Sequence, residues 1–148
     1  MIKLSDDFTA QMRHILPDEC DALLEAITTT DPSVAIRVND GRGISLSGDA
    51  VGRVPWCTTG RYLKERMPFT FDIDFQTGRY YVQDASSMFI HHVIKHLVKE
   101  PVRYLDLCAA PGGKTTTAIS ALPADSMVVA NEIMPARARV LHENIVKW

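Results

Sequence analysis

At 148 residues the chain has room for one ordinary domain or two small ones, and 46% apolar with 23% charged residues is the balance of a globular protein that buries a core. A net charge of −2 removes any overall polycation signature, three scattered cysteines (Cys20, Cys57, Cys108) exclude a disulfide framework or a zinc site, and no apolar run reaches the roughly 18 residues of a membrane helix. The start, MIKLSDDFTAQMRH, lacks the basic-then-apolar pattern of a secretory signal, so the expected compartment is a reducing cytoplasm, with neither metal nor membrane as a partner.

Residues 5–14 are predicted to form a helix capped by Ser5, with Asp6 and Asp7 at its positive end and Phe8, Met12 and Ile15 on one face. A second helix is predicted from Pro17 to Ile27, ended by the Thr28–Pro32 cluster. SVAIRVN, Ser33 to Asn39, alternates Val34, Ile36 and Val38 against Ala35 and Arg37, which predicts a strand with one wet face. From Ile44 to Arg66 the signal is weak. FTFDIDF, Phe69 to Phe75, has strand period, and QTG can turn it back into RYYVQ. DASSMFIHHVIKHLVKE is predicted to be a helix capped by Asp84 or Ser86, with Phe89, Ile90, Val93, Ile94, Leu97 and Val98 as its apolar face. Its His91, His92 and His96 have no carboxylate companion in sequence and read as surface histidines.

The pattern then changes. RYLDLC is a strand, GGKTTTAISAL a helix, MVVANE a strand, and PARARVLHENIVKW a helix with Pro135 in its first turn and Val140, Leu141, Ile145 and Val146 as its core face. This order implies an α/β unit with a parallel sheet. Charge is uneven along the chain: residues 1–33 hold 2 Lys/Arg against 7 Asp/Glu, residues 34–66 hold 6 against 3, and residues 67–148 hold 8 against 8. The basic middle segment, with Arg37, Arg42, Arg53, Arg61, Lys64 and Arg66, either meets a polyanion or is an ordinary mixed surface.

The loop in YLDLCAAPGGKTTT resembles a phosphate loop only superficially. With Gly113-Lys114-Thr115 as its end, the opening glycine of such a loop falls on Cys108, and Asp106 at the strand end would repel phosphates. Asp106 suits a cationic or hydroxyl-bearing ligand instead. Gly112 and Gly113 permit close approach of the backbone and the turn into the helix, whose first amides favour a carboxylate. Glu132 ends the next strand 19 residues after Gly113, near the place where an acid holds ribose hydroxyls in dinucleotide-type folds, though an ordinary loop carboxylate would look the same. A carboxylate, an ammonium and a ribose together describe S-adenosylmethionine.

DLCAAPGGKT, Asp106 to Thr115, closely resembles the first cofactor motif of the RNA cytosine-C5 methyltransferases of the NOL1/NOP2/Sun class. ANEIMPARARVLHENIVKW is similar to the segment that follows in them, SVAIRVN to their Arg-x-Asn strand, and YYVQDASSMF to the segment before their methyltransferase core. The resemblance implies a small N-terminal α+β domain, residues 1–80, that contacts RNA. A linker helix and the first β-α-β-α of a Rossmann-like, S-adenosylmethionine-dependent methyltransferase sheet, residues 81–148, would follow. It further implies that Cys108, Ala109, Ala110, Pro111, Gly112, Gly113 and Lys114 surround the cofactor, that Glu132 takes the ribose, and that Arg137 lies near the adenosine end; the neighbouring Arg139 leaves the last point open.

In that family a cysteine attacks cytosine C6, and its Pro-Cys and Thr-Cys motifs lie downstream of the ribose acid. None of the three cysteines here matches them, so no catalytic residue is expected in this chain, which reads as an N-terminal portion of an rRNA or tRNA methyltransferase. Cys108 is expected to be a buried, inert thiol, and Cys20 and Cys57 packing residues. The alternatives are an RNA-binding module without methyltransferase activity and, less compatible with Cys108, a nucleotide phosphatase or kinase.

Overall fold

The computed structural model describes residues 3–43 and 50–148, so the first part of the weakly patterned 44–66 stretch lies outside the described residues. By its contacts the chain divides into two compact units, Met1–Pro32 and Ser33–Trp148.

The first unit is a helix pair, α1 (Asp6–Ile15) and α2 (Cys20–Thr29). Ser5 caps α1 as expected, its Oγ accepting from Phe8 N at 3.2 Å, with Asp6 and Asp7 in the first turn. Ile15 is exposed rather than on a buried face. The second helix begins three residues later than expected. Leu16 precedes a proline and is held out of helical geometry, and Pro17 to Glu19 are spent on a turn. The hydroxyls of Thr28 and Thr29 donate back to Leu24 O and Glu25 O and close the C-terminus.

The second unit opens with an antiparallel sheet in the order β2 (Ala50–Arg53), β3 (Gly60–Leu63), β1 (Val34–Val38), β4 (Tyr80–Val82). In register, Ile36 lies opposite Arg61 on one side and Val82 on the other. The wet face expected for β1 does not exist. Ile36 packs with Leu63, Phe69 and Tyr80, while Ala35 on the opposite face packs with Val54, Cys57, Ala85 and Met88, and Arg37 is 0% exposed. An interior strand covered on both faces buries whatever its alternation brings inward, and an arginine there must find acceptors. Gly60 lies inside this packing: a Cβ would come within 2.7 Å of Val54 Cβ and 2.8 Å of Met88 Sδ. Gly60→Ala is expected to cost about 2 kcal/mol of overpacking, visible as a lower urea midpoint with an unchanged slope.

FTFDIDF is not a strand. A 3₁₀ turn (Phe69–Phe71) leads into the one-turn helix α3 (Ile73–Gln76). Asp72 decides this locally: its Oδ1 accepts from Asp74 N at 2.8 Å, capping α3, and its Oδ2 accepts from the Tyr80 hydroxyl at 2.7 Å. Period-two hydrophobicity here leaves Phe71 86% and Ile73 76% exposed. That is the result of a capped turn overriding an alternating pattern.

The linker is a 3₁₀ turn (Ser86–Met88) running into α4 (Phe89–Leu97), without a side-chain cap from Asp84 or Ser86. Ile94 is the buried residue of the expected apolar face, with Ile90 and Val98 against the core; Phe89, Val93 and Leu97 are exposed. His91 is buried, contrary to the surface reading, because it lies on the side of α4 that turns inward with Ile94. Burial and the neighbouring Lys95 push its imidazole below the ordinary histidine range. The His92 and His96 rings lie tilted against one another with centroids 3.9 Å apart.

β5 (Arg103–Asp106), α5 (Gly113–Ala121), β6 (Met127–Ala130) and α6 (Pro135–Lys147) follow in the expected order, with β5 and β6 parallel and Leu105 opposite Val129. Tyr104 and Val128 pack with Ala118, Ala121, Leu122 and Ile94. Leu105, Met127 and Val129 on the other face are exposed. Leu141 and Ile145 of α6 pack on Ala109 and Ala110, while Val140 and Val146 face out. Among the described residues no helix is long and apolar enough to cross a membrane.

Candidate cofactor site at the ends of β5 and β6

The parallel strands β5 and β6 end at the same edge, and the loop from Leu107 to Gly112 is built there on Asp106. Its Oδ1 accepts from Cys108 N at 3.3 Å and its Oδ2 from the Thr115 hydroxyl at 2.7 Å. One acceptor position on each Asp106 oxygen is thus spent on shaping the loop, and Thr115 is fully buried. Asn131, just past β6, locks the other side: Asn131 N donates to Asp106 O, Asn131 O accepts from Ala109 N, and Asn131 Nδ2 donates to Leu107 O at 3.0 Å.

From α6, Arg137 Nη2 donates to Ala110 O at 2.8 Å and Asn144 Nδ2 to Pro111 O at 2.7 Å. Tyr81 adds a longer bond from its hydroxyl to Pro111 O, 3.3 Å, and burial raises its pKa. Gly112 has φ +114 and ψ −1, which only glycine adopts without strain, whereas Gly113 is the ordinary first residue of α5. The conformational demand therefore falls on one glycine of the pair. Lys114 points to solvent. Cys108 is exposed, not the buried inert thiol expected; its amide is turned in towards Asp106 and its side chain faces out.

The Glu132 side chain is only 3% exposed. Its Oε1 accepts from Met134 N at 3.0 Å and its Oε2 lies 3.4 Å from Arg137 Nη1. Arg137 so bridges the loop carbonyl of Ala110 and the strand-end acid. A carboxylate has about four acceptor positions, and these contacts occupy two of those of Glu132. All nine residues singled out in the sequence, Cys108 through Lys114 with Glu132 and Arg137, lie at this edge or on the elements leading from it. Asn131 and Tyr81 carry no pattern that spacing alone would flag; Gln83 and Asn144 lie in stretches that resemble the family, but the sequence assigns them no site role.

Beneath α5 lies a buried polar junction. Arg37 Nε donates to Gln83 Oε1 at 3.0 Å, Nη1 to Ser120 Oγ at 3.4 Å and Nη2 to Thr116 Oγ1 at 2.5 Å, and the guanidinium stacks 4.1 Å from the Trp148 ring centroid. Burial lowers its pKa to about 10. Trp148 Nε1 donates to Ser120 Oγ and its carbonyl accepts from Asn39.

Comparison with known sequences decides the family. Residues 4–85 match the family described as the N-terminal domain of 16S rRNA methyltransferase RsmF, and residues 95–148 match the family described as 16S rRNA methyltransferase RsmB/F. The chain belongs to the RsmF family. Ribosomal RNA small subunit methyltransferase F of Enterobacter sp. strain 638 is 31% identical over 153 residues, covering 95% of this chain and 32% of that protein. The Pectobacterium atrosepticum protein of the same description is 36% identical over 96 residues, 62% of this chain and 20% of that protein. A solved methyltransferase homolog from Pyrococcus horikoshii superposes with a TM-score of 0.80 at 27% identity, over 97% of this chain and 49% of that one. This RsmF-family chain thus spans about a third of the length of the curated relatives it matches. Its fold is α/β: a small N-terminal domain followed by the opening β-α-β-α of a Rossmann-like methyltransferase sheet.

Proposed function

We propose that this chain carries one side of the S-adenosylmethionine site of an RNA cytosine-C5 methyltransferase acting on small-subunit ribosomal RNA in the cytoplasm, with residues 81–148 as the start of the methyltransferase domain. The observation that carries the reading is the Glu132–Arg137–Ala110 bridge, which holds an acid with spare acceptor positions beside a loop whose backbone turns into a helix N-terminus. The residues fit such a cofactor: Glu132 would take the ribose hydroxyls, the loop from Cys108 to Lys114 would lie along it, and the first amides of α5 would face its carboxylate. The bound cofactor supplies the methyl group. Arg137 keeps the acid and the loop at a fixed separation, so the chain's own part is binding and orientation.

The thiol that attacks the base is none of Cys20, Cys57 and Cys108. Cys20 and Cys57 are buried, and Cys108 stands on the cofactor loop itself. RNA contact falls to the exposed Arg42, Arg53, Lys64 and Arg66 and the half-buried Arg61 of the basic segment; Arg37, fully buried, is removed from that set. Calorimetry on the chain should show binding of S-adenosylhomocysteine and none of ATP. Glu132→Ala should weaken the former by about 1.5–3 kcal/mol, the scale of hydrogen bonds to a charged group. Binding of ATP in preference, or an unaltered dissociation constant for Glu132→Ala, would overturn the assignment.

A further inference from the structure

Gln83 follows β4 and its side chain runs under the first turns of α5. It is 8% exposed, and its Nε2 has no hydrogen-bond partner among the described residues. The orientation of the amide is determined by its surroundings. Oε1 accepts from Arg37 Nε at 3.0 Å and lies 3.2 Å from the Thr117 hydroxyl, whose shorter bond goes to Gly113 O; turned over, the amide would set its N–H groups against the Arg37 N–H. Nε2 is therefore forced to the other side, where it lies 3.6 Å from the position a Gly113 Cβ would occupy, with Tyr81 Cε1 beside it. Arg37 has no carboxylate partner among the described residues, so its charge is not cancelled locally. A buried cation and an unanswered donor lie together behind the positive end of a nine-residue helix.

We propose that Arg37 and Gln83 tune the N-terminal turn of α5 for the carboxylate of an amino-acid-bearing ligand, Arg37 by holding the Gln83 amide with its free donor against Gly113. The inference rests on the cofactor reading above and adds two positioning residues to it, one of them from the N-terminal sheet. Neither touches a reacting atom. Both act from the packed, buried side of the Gly113 turn, making the N-terminus of α5 more electropositive where water does not screen, and fixed dipoles and charges act most strongly.

Gln83→Glu separates this role from a merely structural one. The carboxylate keeps the acceptor that Arg37 uses and gives Arg37 a counter-ion, so the unliganded melting temperature should hold or rise. It also replaces the free donor by negative charge behind Gly113. On the whole chain, calorimetry should then show S-adenosylhomocysteine binding weakened by about tenfold or more, the scale of a unit charge acting over about 10 Å at an effective dielectric constant of about 20. Methylthioadenosine, which has the same adenosine but no carboxylate, should change by less than about twofold. If Gln83→Glu gives no cooperative melt, Gln83→Met, which removes the donor without adding charge, should show the same selectivity at about fivefold. Equal losses for both ligands, or no loss for either, would reduce Gln83 to a structural strut and overturn the inference while leaving the cofactor reading intact. A wild-type chain that binds neither ligand overturns the cofactor reading and the inference with it.

Discussion

Arg37→Ala is expected to lower the unfolding free energy of the Ser33–Trp148 unit by about 4 kcal/mol. The side chain is fully buried, so its removal leaves a cavity between β1 and α5. It also strips donors from Gln83 Oε1, Thr116 Oγ1 and Ser120 Oγ and leaves the Trp148 ring without its cation. Opposing this, the substitution abolishes a buried charge whose burial is itself unfavourable, as the depressed guanidinium pKa records. The volume and hydrogen-bond losses should win for alanine. Arg37→Met refills most of the space without a charge and should cost only about 1–2 kcal/mol. Urea unfolding followed by tryptophan fluorescence reads this unit alone, since Trp56 and Trp148 both lie in it. A loss below about 1 kcal/mol for alanine would contradict a supporting role for Arg37, and a loss for methionine equal to that for alanine would assign the cost to the polar contacts rather than to volume.

Gly112→Val should cost about 3–4 kcal/mol and dissolve the loop geometry. At φ +114 any L-residue is strained, by about 1–2 kcal/mol. The new Cβ would stand 3.4 Å from Leu141 Cδ1 and 3.5 Å from Asn144 Cβ, so the branching methyl groups must displace α6 or the loop, adding about 1–3 kcal/mol. The bonds that α6 makes to Ala110 O and Pro111 O would loosen together, and S-adenosylhomocysteine affinity should fall with them. Gly113→Ala is the matched control: its backbone is helical and its Cβ would meet Tyr81 at 3.4 Å, so a change of no more than about 1 kcal/mol is expected. Denaturation of the two variants side by side checks the contrast; comparable destabilisation would mean that contact with Tyr81, not backbone conformation, governs this turn.

The two glycines show where sequence reasoning stops. GGKT announces a tight approach and a helix start, and both occur. Which glycine bears the positive φ depends on where the loop is pulled by Asp106, Asn131 and Asn144, three side chains from three elements. Cys108 follows the same rule: a small residue in an Ala-rich loop suggests burial, yet the amide, not the thiol, is drawn inward. Phe69 to Phe75 failed differently. The alternation was real, but Asp72 offered its oxygens both to the next turn and to Tyr80, and a local cap with a tertiary bond outweighs period-two patterning over seven residues.

What the sequence determined by itself was the order β-α-β-α after residue 100, the cap of α1, and the glycine loop between a strand-end aspartate and a helix, because these depend on periodicity, proline and capping chemistry within a few residues. Only the tertiary structure decided that Arg37 and His91 are interior and that Arg37 bonds directly to Gln83 and α5, with the free donor of Gln83 placed behind Gly113. The physical reason is that a charged or polar residue's burial is set by what covers its strand or helix, and the covering elements here lie 46 to 83 residues away in the chain.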